Sequence, residues 1–373
     1  MIYFDNAATS RVKPESVYEA FTYYVREVGT SPGRGSYSLG VQASRMLYQS
    51  RKAVSSFLGS NSTTNVVFTK NSTEAINLFF KGFLKQGDHV IISSFEHNAV
   101  LRPLHKLKQE GIIDYTVLPE CVFERPDLEL SKYIRPNTKL AAITLASNLT
   151  GQIVFSGSFG KACSALGLTV FVDASQGGGK GLINMARDYI DVLAFTGHKD
   201  MYGFPGVGGL CSHKPLDITP LIQGGTGIHG EDYTNPPIFP EALESGTLNM
   251  PAIWSLVAAL DYLRIHHDTI ADKEERLTQH IIDGLLALDN VIVYKPQYPR
   301  VSTICFNVKG LSSSDVVSLL DKKGICVRGG IHCAILAHET LGTVKTGAVR
   351  ASLNYLNTDE EIDFFLHVLG DIK

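Results

Sequence analysis

No run of apolar residues in this chain approaches the ~20 that a membrane helix needs. The opening residues, Met1-Ile2-Tyr3-Phe4-Asp5, lack the basic start and apolar centre of a secretory leader. Excess charge is missing too. The 34 Lys and Arg against 37 Asp and Glu leave a formal charge of -3, which argues against a nucleic-acid partner. Cysteine is sparse, 6 in 373 residues, so a disulfide framework does not organise the fold. Cys121, Cys163, Cys211, Cys305 and Cys326 fall in or beside apolar segments and are expected to be core thiols, whereas Cys333 does not. Repeats and low-complexity tracts are absent. These absences leave a globular protein expected in the reducing cytoplasm, with no membrane association. At 44% hydrophobic residues it can bury a large core, and 373 residues exceed the usual single-core size, so two domains are expected.

Short apolar runs at 66–69, 89–93, 139–146, 168–172 and 192–195, and another beginning near Gly206, read as strands alternating with helices. That pattern predicts an α/β fold with a largely parallel sheet and a site at the C-terminal ends of its strands. Reactive side chains gather at those ends. Phe195-Thr196-Gly197-His198-Lys199 closes one strand with an amine able to form a Schiff base with a cofactor aldehyde, beside Thr196 and His198 to reach a phosphate. Asp173-Ala174-Ser175-Gln176 closes another with the acid a pyridine nitrogen needs. Asn71-Ser72-Thr73-Glu74 opens a helix after a strand, where caps and free N–H groups favour an anion. Gly177-Gly178-Gly179-Lys180 is not a P-loop, because Gly181 stands where Ser or Thr is required.

Lys199 and Asp173, 26 residues apart, resemble the pyridoxal-phosphate enzymes of the class V aminotransferase superfamily. The resemblance implies pyridoxal 5'-phosphate as cofactor, a fold-type-I large domain with a mostly parallel seven-stranded sheet flanked by helices, and a smaller α+β C-terminal domain. The expected boundaries are an N-terminal arm over 1–14, a large domain over 15–250 and a small domain over 251–373. It further implies that His97, of the pair Glu96-His97, stacks on the cofactor ring, and that Asn148 and Gln176 reach its phenolic oxygen. Ser72, Thr73, Thr196 and His198 would hold its phosphate. Thr247, after Glu244-Ser245-Gly246, would reach across a homodimer to the partner's phosphate. Asp5-Asn6-Ala7-Ala8-Thr9 matches a segment at the active-site mouth. In the loop Ser31-Pro32-Gly33-Arg34-Gly35-Ser36-Tyr37, Tyr37 stands where relatives often carry histidine.

Past Pro251 the pattern changes to two helices (251–266 and 274–288), then strands at 291–295 and 302–308, a helix at 314–323, and strands at 325–328 and 347–353. Thr358 and Glu361 form a capping box opening the last helix. Within this region Arg328-Gly329-Gly330-Ile331-His332-Cys333-Ala334 is similar to the signature of group II cysteine desulfurases, with glycines that predict a mobile loop. The similarity implies that Cys333 is a nucleophile. Arg350, in Ala348-Val349-Arg350-Ala351-Ser352, would clamp a substrate carboxylate with Asn148. The implied reaction takes L-cysteine to L-alanine and leaves sulfur on Cys333 as a persulfide, with Lys199 and His97 moving the Cα proton. A thiol with a pKa of about 8.5 is mostly protonated at neutral pH, so His332, the substrate thiol or the cofactor must assist Cys333. Selenocysteine lyase uses the same residues, and a class V aminotransferase would leave Cys333 idle. A zinc reading from Cys326, His332, Cys333 and His338 lacks paired ligand spacing. A sulfur-acceptor protein is left open by the sequence.

Overall fold

The computed structural model describes every residue except Arg34, Thr63, Pro296 and Lys373, so Arg34 of the 31–37 loop lies outside the described residues. Seven strands form the main sheet in the order β2-β8-β7-β6-β5-β3-β4. Their ranges are β2 Val66–Thr69, β3 Asp88–Ser93, β4 Ile113–Leu118, β5 Thr138–Thr144, β6 Thr169–Asp173, β7 Val192–Thr196 and β8 Gly208–Ser212. β4, β3, β5, β6 and β7 pair in parallel, while β8 is antiparallel to both β7 and β2. Six of the seven strands therefore point the same way, and their C-terminal ends share one edge. The expected α/β architecture is present. The strand missing from the sequence reading is β4, an edge strand whose Asp114-Tyr115-Thr116 stretch is only half-buried and carries no apolar run.

The central strands are apolar on both sides because both faces are covered. In β5, Ala141 and Ile143 belong to one core with Phe195 and Phe159, and Leu140 and Ala142 to the other with Phe79 and Phe171. The helix Met250–Ile265 sends Ile253, Leu256 and Leu260 into the first of these cores, against the helices Glu15–Tyr23 and Ser38–Phe57. A third core lies around Phe4, Phe306 and Phe365. It packs beside a four-stranded antiparallel sheet, β12-β13-β10-β9, with β9 Val291–Tyr294, β10 Thr303–Val308, β12 Arg328–Gly330 and β13 Ala348–Ser352. The N-terminal β1, Ile2–Tyr3, joins this region by pairing in parallel with β11, Ile325–Cys326.

The strand expected at 325–328 is thus two strands with different partners. Cys326 faces the N-terminal arm, and Arg328 pairs with Arg350 across β12 and β13. Gly329 and Gly330 are paired strand residues rather than the free loop their composition suggested. A Cβ at Gly329 would sit 2.8 Å from the Ser313 carbonyl, so close backbone approach explains that glycine. The same holds for Gly178 and Gly179, where a Cβ would meet the Ala174 carbonyl at 2.4 Å and the Asp200 carbonyl at 1.9 Å, respectively. Among the cysteines, Cys121 is exposed and Cys326 half-buried, against the expectation of core thiols; Cys163, Cys211 and Cys305 are buried. Cys121 is exposed because it opens a four-residue helical turn at the surface. The Thr358 and Glu361 capping box is formed as expected. No described helix is long and apolar enough to cross a membrane.

Candidate active site

Where the parallel strands end, Ser72, Thr73, His97, Asn148, Asp173, Gln176, Thr196, His198 and Lys199 line one cavity of about 250 Å³. All nine were expected together, and they come from five strand ends (β2, β3, β5, β6 and β7). Thr144, Ala146 and Ser175 also line it, and sequence reasoning passed over them. A serine two residues beyond an aspartate is the signal that was available for Ser175. Its N–H and hydroxyl both reach Asp173 Oδ1, the N–H at 3.0 Å, and fix the carboxylate of a residue only 2% exposed.

His97 caps the helix Asn98–Gln109, its Nδ1 accepting the Ala99 N–H at 3.0 Å. With Nδ1 an acceptor, the ring proton of neutral His97 sits on Nε2. Burial, and then the Lys199 charge, push its pKa down to about 4, so the ring is neutral and a hydrogen-bond donor at pH 7. Lys199 is held below the ordinary lysine range by burial, with Arg350 and Arg328 adding to the effect against Asp173. That shift enlarges the fraction of free amine, the nucleophilic form. Burial likewise lowers His198 to about 4, and its Nδ1 lies 3.1 Å from Thr9 Oγ1.

A phosphorylated pyridine aldehyde fits this lining. Thr196 Oγ1 and Asn148 Oδ1 are buried with no hydrogen-bond partner among the described residues, so each awaits one. Ser72 and Thr73 occupy the first turn of the helix Ser72–Phe83, whose free N–H groups and positive dipole end suit a phosphate. Gln176 instead donates from Nε2 to the Ala7 carbonyl at 2.8 Å, which ties the N-terminal segment to the cavity wall.

Cys333, Arg350 and Thr247 lie outside this cavity lining. Cys333 is exposed, and both it and His332 adopt positive φ, 55° and 52°, a strained geometry for residues other than glycine. Two hydrogen bonds join their turn to the cavity wall. The Asn98 N–H donates to the Cys333 carbonyl at 2.8 Å, and Asn148 Nδ2 to the His332 carbonyl at 2.7 Å. His332 is a poor base for the thiol, since burial and Arg350 lower its pKa to about 3 and its Nε2 faces the Arg328 carbonyl at 3.2 Å. Arg350 is 1% exposed and donates from Nη1 to the Asn148 carbonyl at 2.9 Å. Thr247 lines an adjoining cavity of about 530 Å³ with Glu74 and Pro205, and Asn71 and His198 border both cavities. Its segment is anchored by Glu244, which accepts from Arg51 at 2.7 and 2.6 Å and from the Phe68 N–H at 2.6 Å. Tyr37 is exposed and hydrogen-bonds Thr30 at 2.8 Å, away from the cavity. Cys326, His332, Cys333 and His338 do not converge, and no cluster suited to a metal exists among the described residues.

Glu96 is the residue whose importance the sequence concealed. Fully buried, its Oε1 accepts the Ser93 hydroxyl at 2.5 Å, the Thr144 N–H at 2.8 Å and the Ser93 N–H at 3.3 Å, joining the ends of β5 and β3 one residue before His97. Burial, reinforced by Asp173 and opposed by those hydrogen bonds, pushes its pKa up to about 8. The native state therefore keeps a proton that the unfolded chain releases above the ordinary glutamate value of 4.5. Stability should fall as pH rises from about 4.5 to 8, with nothing further lost to this group above that. Glu96→Gln cannot titrate. Its urea midpoint should gain on wild type steadily between pH 5 and 8, and a difference that ignores pH would show Glu96 ionised throughout.

The family model described as aminotransferase class-V matches residues 2–365. A probable cysteine desulfurase of Methanothermobacter thermautotrophicus is 32% identical over 100% of this chain and 94% of its own length. A cysteine desulfurase of Serratia proteamaculans is 31% identical, over 97% of this chain and 91% of that protein. Among solved structures, the apo cysteine desulfurase of Thermococcus onnurineus NA1 superposes with a TM-score of 0.89 at 32% identity, covering 99% of this chain and 94% of that one. An S-sulfonic acid form of the cysteine desulfurase CsdA from Escherichia coli gives 0.85 at 28% identity, covering 98% and 93%.

Proposed function

The chain belongs to the class-V aminotransferase family, and we propose that within it the protein is a pyridoxal-phosphate-dependent cysteine desulfurase. In this reading L-cysteine and the Cys333 thiol give L-alanine and a Cys333 persulfide. The observation that supports it is the exposed Cys333 turn, fastened by Asn98 and Asn148 to the wall of the cavity that holds Lys199 and Asp173.

When bound, pyridoxal phosphate supplies an aldehyde for an amine and a ring that accepts negative charge from the substrate Cα. The protein's own groups do the rest. Ser72, Thr73, Thr196 and His198 would hold the phosphate, and the Asp173 carboxylate, oriented by Ser175, would keep the pyridine nitrogen protonated. Lys199 would hold the cofactor through its aldehyde and, as free amine, would take the substrate Cα proton and later return a proton to that carbon. Neutral His97 would lie against the cofactor ring, with Nε2 as its hydrogen-bond donor. Arg350, with Asn148, fixes the substrate carboxylate, which aims the substrate sulfur toward the Cys333 turn. The Cys333 thiolate attacks that sulfur, forming the S–S bond. The C–S bonding pair stays with the substrate carbon, which is protonated to become the alanine methyl group.

We also propose a homodimer in which each Thr247 completes its partner's phosphate site, a reading supported by the position of Thr247 outside its own chain's cavity. One preparation tests both statements. Sedimentation at micromolar concentration should give a dimer, and L-cysteine should then yield alanine and enzyme-bound sulfur in equal amounts. Pyruvate-dependent transamination without sulfur release would make it an aminotransferase, and a fully active monomer would remove Thr247 from the site.

A further inference from the structure

Arg350 is already engaged by a carboxylate of its own chain. Asp5 Oδ1 accepts from Arg350 Nη2 at 2.6 Å, across 345 residues of sequence. The contact is monodentate, and Arg350 Nε is buried with no partner among the described residues. Its guanidinium is almost wholly buried, and its neighbour across the sheet is a second cation, Arg328, which has no ion pair among the described residues. A buried, unpaired guanidinium is costly, so some carboxylate must sit there. Asp5 is free to withdraw because it lies at a break in regular structure. Its backbone stays held, by an isolated bridge to Ser352 and by a carbonyl that accepts from the Ala8 N–H at 3.0 Å and the Tyr3 hydroxyl at 3.2 Å, but its side chain keeps 21% exposure and can turn away from Arg350. The segment it leads is hydrogen-bonded to β13 and to the His198 turn, so a change at Asp5 is felt along it. Asn6 N–H reaches the Ser352 carbonyl at 3.2 Å, Ala7 N–H the Ser352 hydroxyl at 2.9 Å, and Ser10 N–H the His198 carbonyl at 2.9 Å.

We propose that Asp5 is an intramolecular competitor for the substrate-carboxylate site, occupying Arg350 until a substrate carboxylate displaces it. The inference rests on the reading of Arg350 as the carboxylate clamp. Two consequences follow. Asp5 sets the affinity for substrates through their carboxylate alone, and its departure loosens residues 5–10, which border both Gln176 and the Gly197-His198-Lys199 turn.

The test uses the holoenzyme and 3-mercaptopropionate, which has the thiol and carboxylate of cysteine but no amine to react with the cofactor. Calorimetry should show Asp5→Asn binding it on the order of tenfold more tightly than wild type, the size of a typical coupling between two sites. Cysteamine, which lacks the carboxylate, should bind both proteins equally. In wild type, saturating 3-mercaptopropionate should speed hydrogen exchange at the amides of Asn6, Ala7 and Ser10, a readout that needs no variant. Equal or weaker binding by Asp5→Asn, or exchange unchanged in wild type, overturns the proposal, since Asp5 would then merely orient Arg350. If Arg350→Lys binds 3-mercaptopropionate as wild type does, the carboxylate-clamp reading itself has failed.

Discussion

Cys333→Ala should turn over L-cysteine at least about a thousandfold more slowly than wild type, because the atom that attacks the substrate sulfur is gone. Nothing else in the site depends on that sulfur. The turn is held through the carbonyls of His332 and Cys333, which alanine retains, and Arg350, Asn148 and Lys199 do not bond the thiol. The variant should therefore still bind L-cysteine, seen as a shift in the cofactor absorption, while mass spectrometry finds no added sulfur on the protein. Cys121 provides the control, being the other exposed thiol and remote in the fold. Cys121→Ala should keep full activity and should acquire sulfur normally at position 333. With selenocysteine the loss in Cys333→Ala should be smaller, since selenium leaves more readily as the anion. Equal cysteine turnover in wild type and Cys333→Ala would make Cys333 a bystander and favour the aminotransferase reading.

Lys199→Ala should abolish both activity and covalent retention of the cofactor. Burial, aided by Arg350 and Arg328, lowers the pKa of the amine at 199 and so raises its share of the free form, the form in which a lysine attacks an aldehyde. Borohydride treatment of wild type should leave a stable mass increase on the peptide carrying residue 199, and the variant should show none. Lys180, which follows the Gly177-Gly178-Gly179 run, is the rival lysine in sequence. It is committed elsewhere, however, in a buried ion pair with Glu274, which also accepts from Tyr202 at 3.3 Å and Ser302 at 3.1 Å. A label that survives Lys199→Ala and maps to another lysine would move the anchor away from residue 199.

The sequence alone was enough to place the chemistry on strand ends, because the relevant signals are local. Apolar runs such as Val66–Thr69 and Val192–Thr196 are short, buried on both faces and closed by polar residues. Nine expected cavity residues follow from that pattern together with the family resemblance. The Thr358 capping box is equally local, its two partners three residues apart. The exposed edge strand Ile113–Leu118 escaped detection because one sheet edge with half-buried side chains leaves no apolar signature.

Only the tertiary structure could decide how distant groups share charge. The pairing of Asp5 with Arg350 arises because β1 adds to β11 and carries the N-terminus onto β13. Glu96 holds its proton because folding removes it from water and sets Asp173 nearby, although its sequence neighbourhood shows only a cap and a turn. The same desolvation disqualifies His332 as a base for Cys333, despite its adjacency in sequence. Adjacency and spacing are written in the chain, whereas burial and long-range electrostatics exist only once strands 345 residues apart have met.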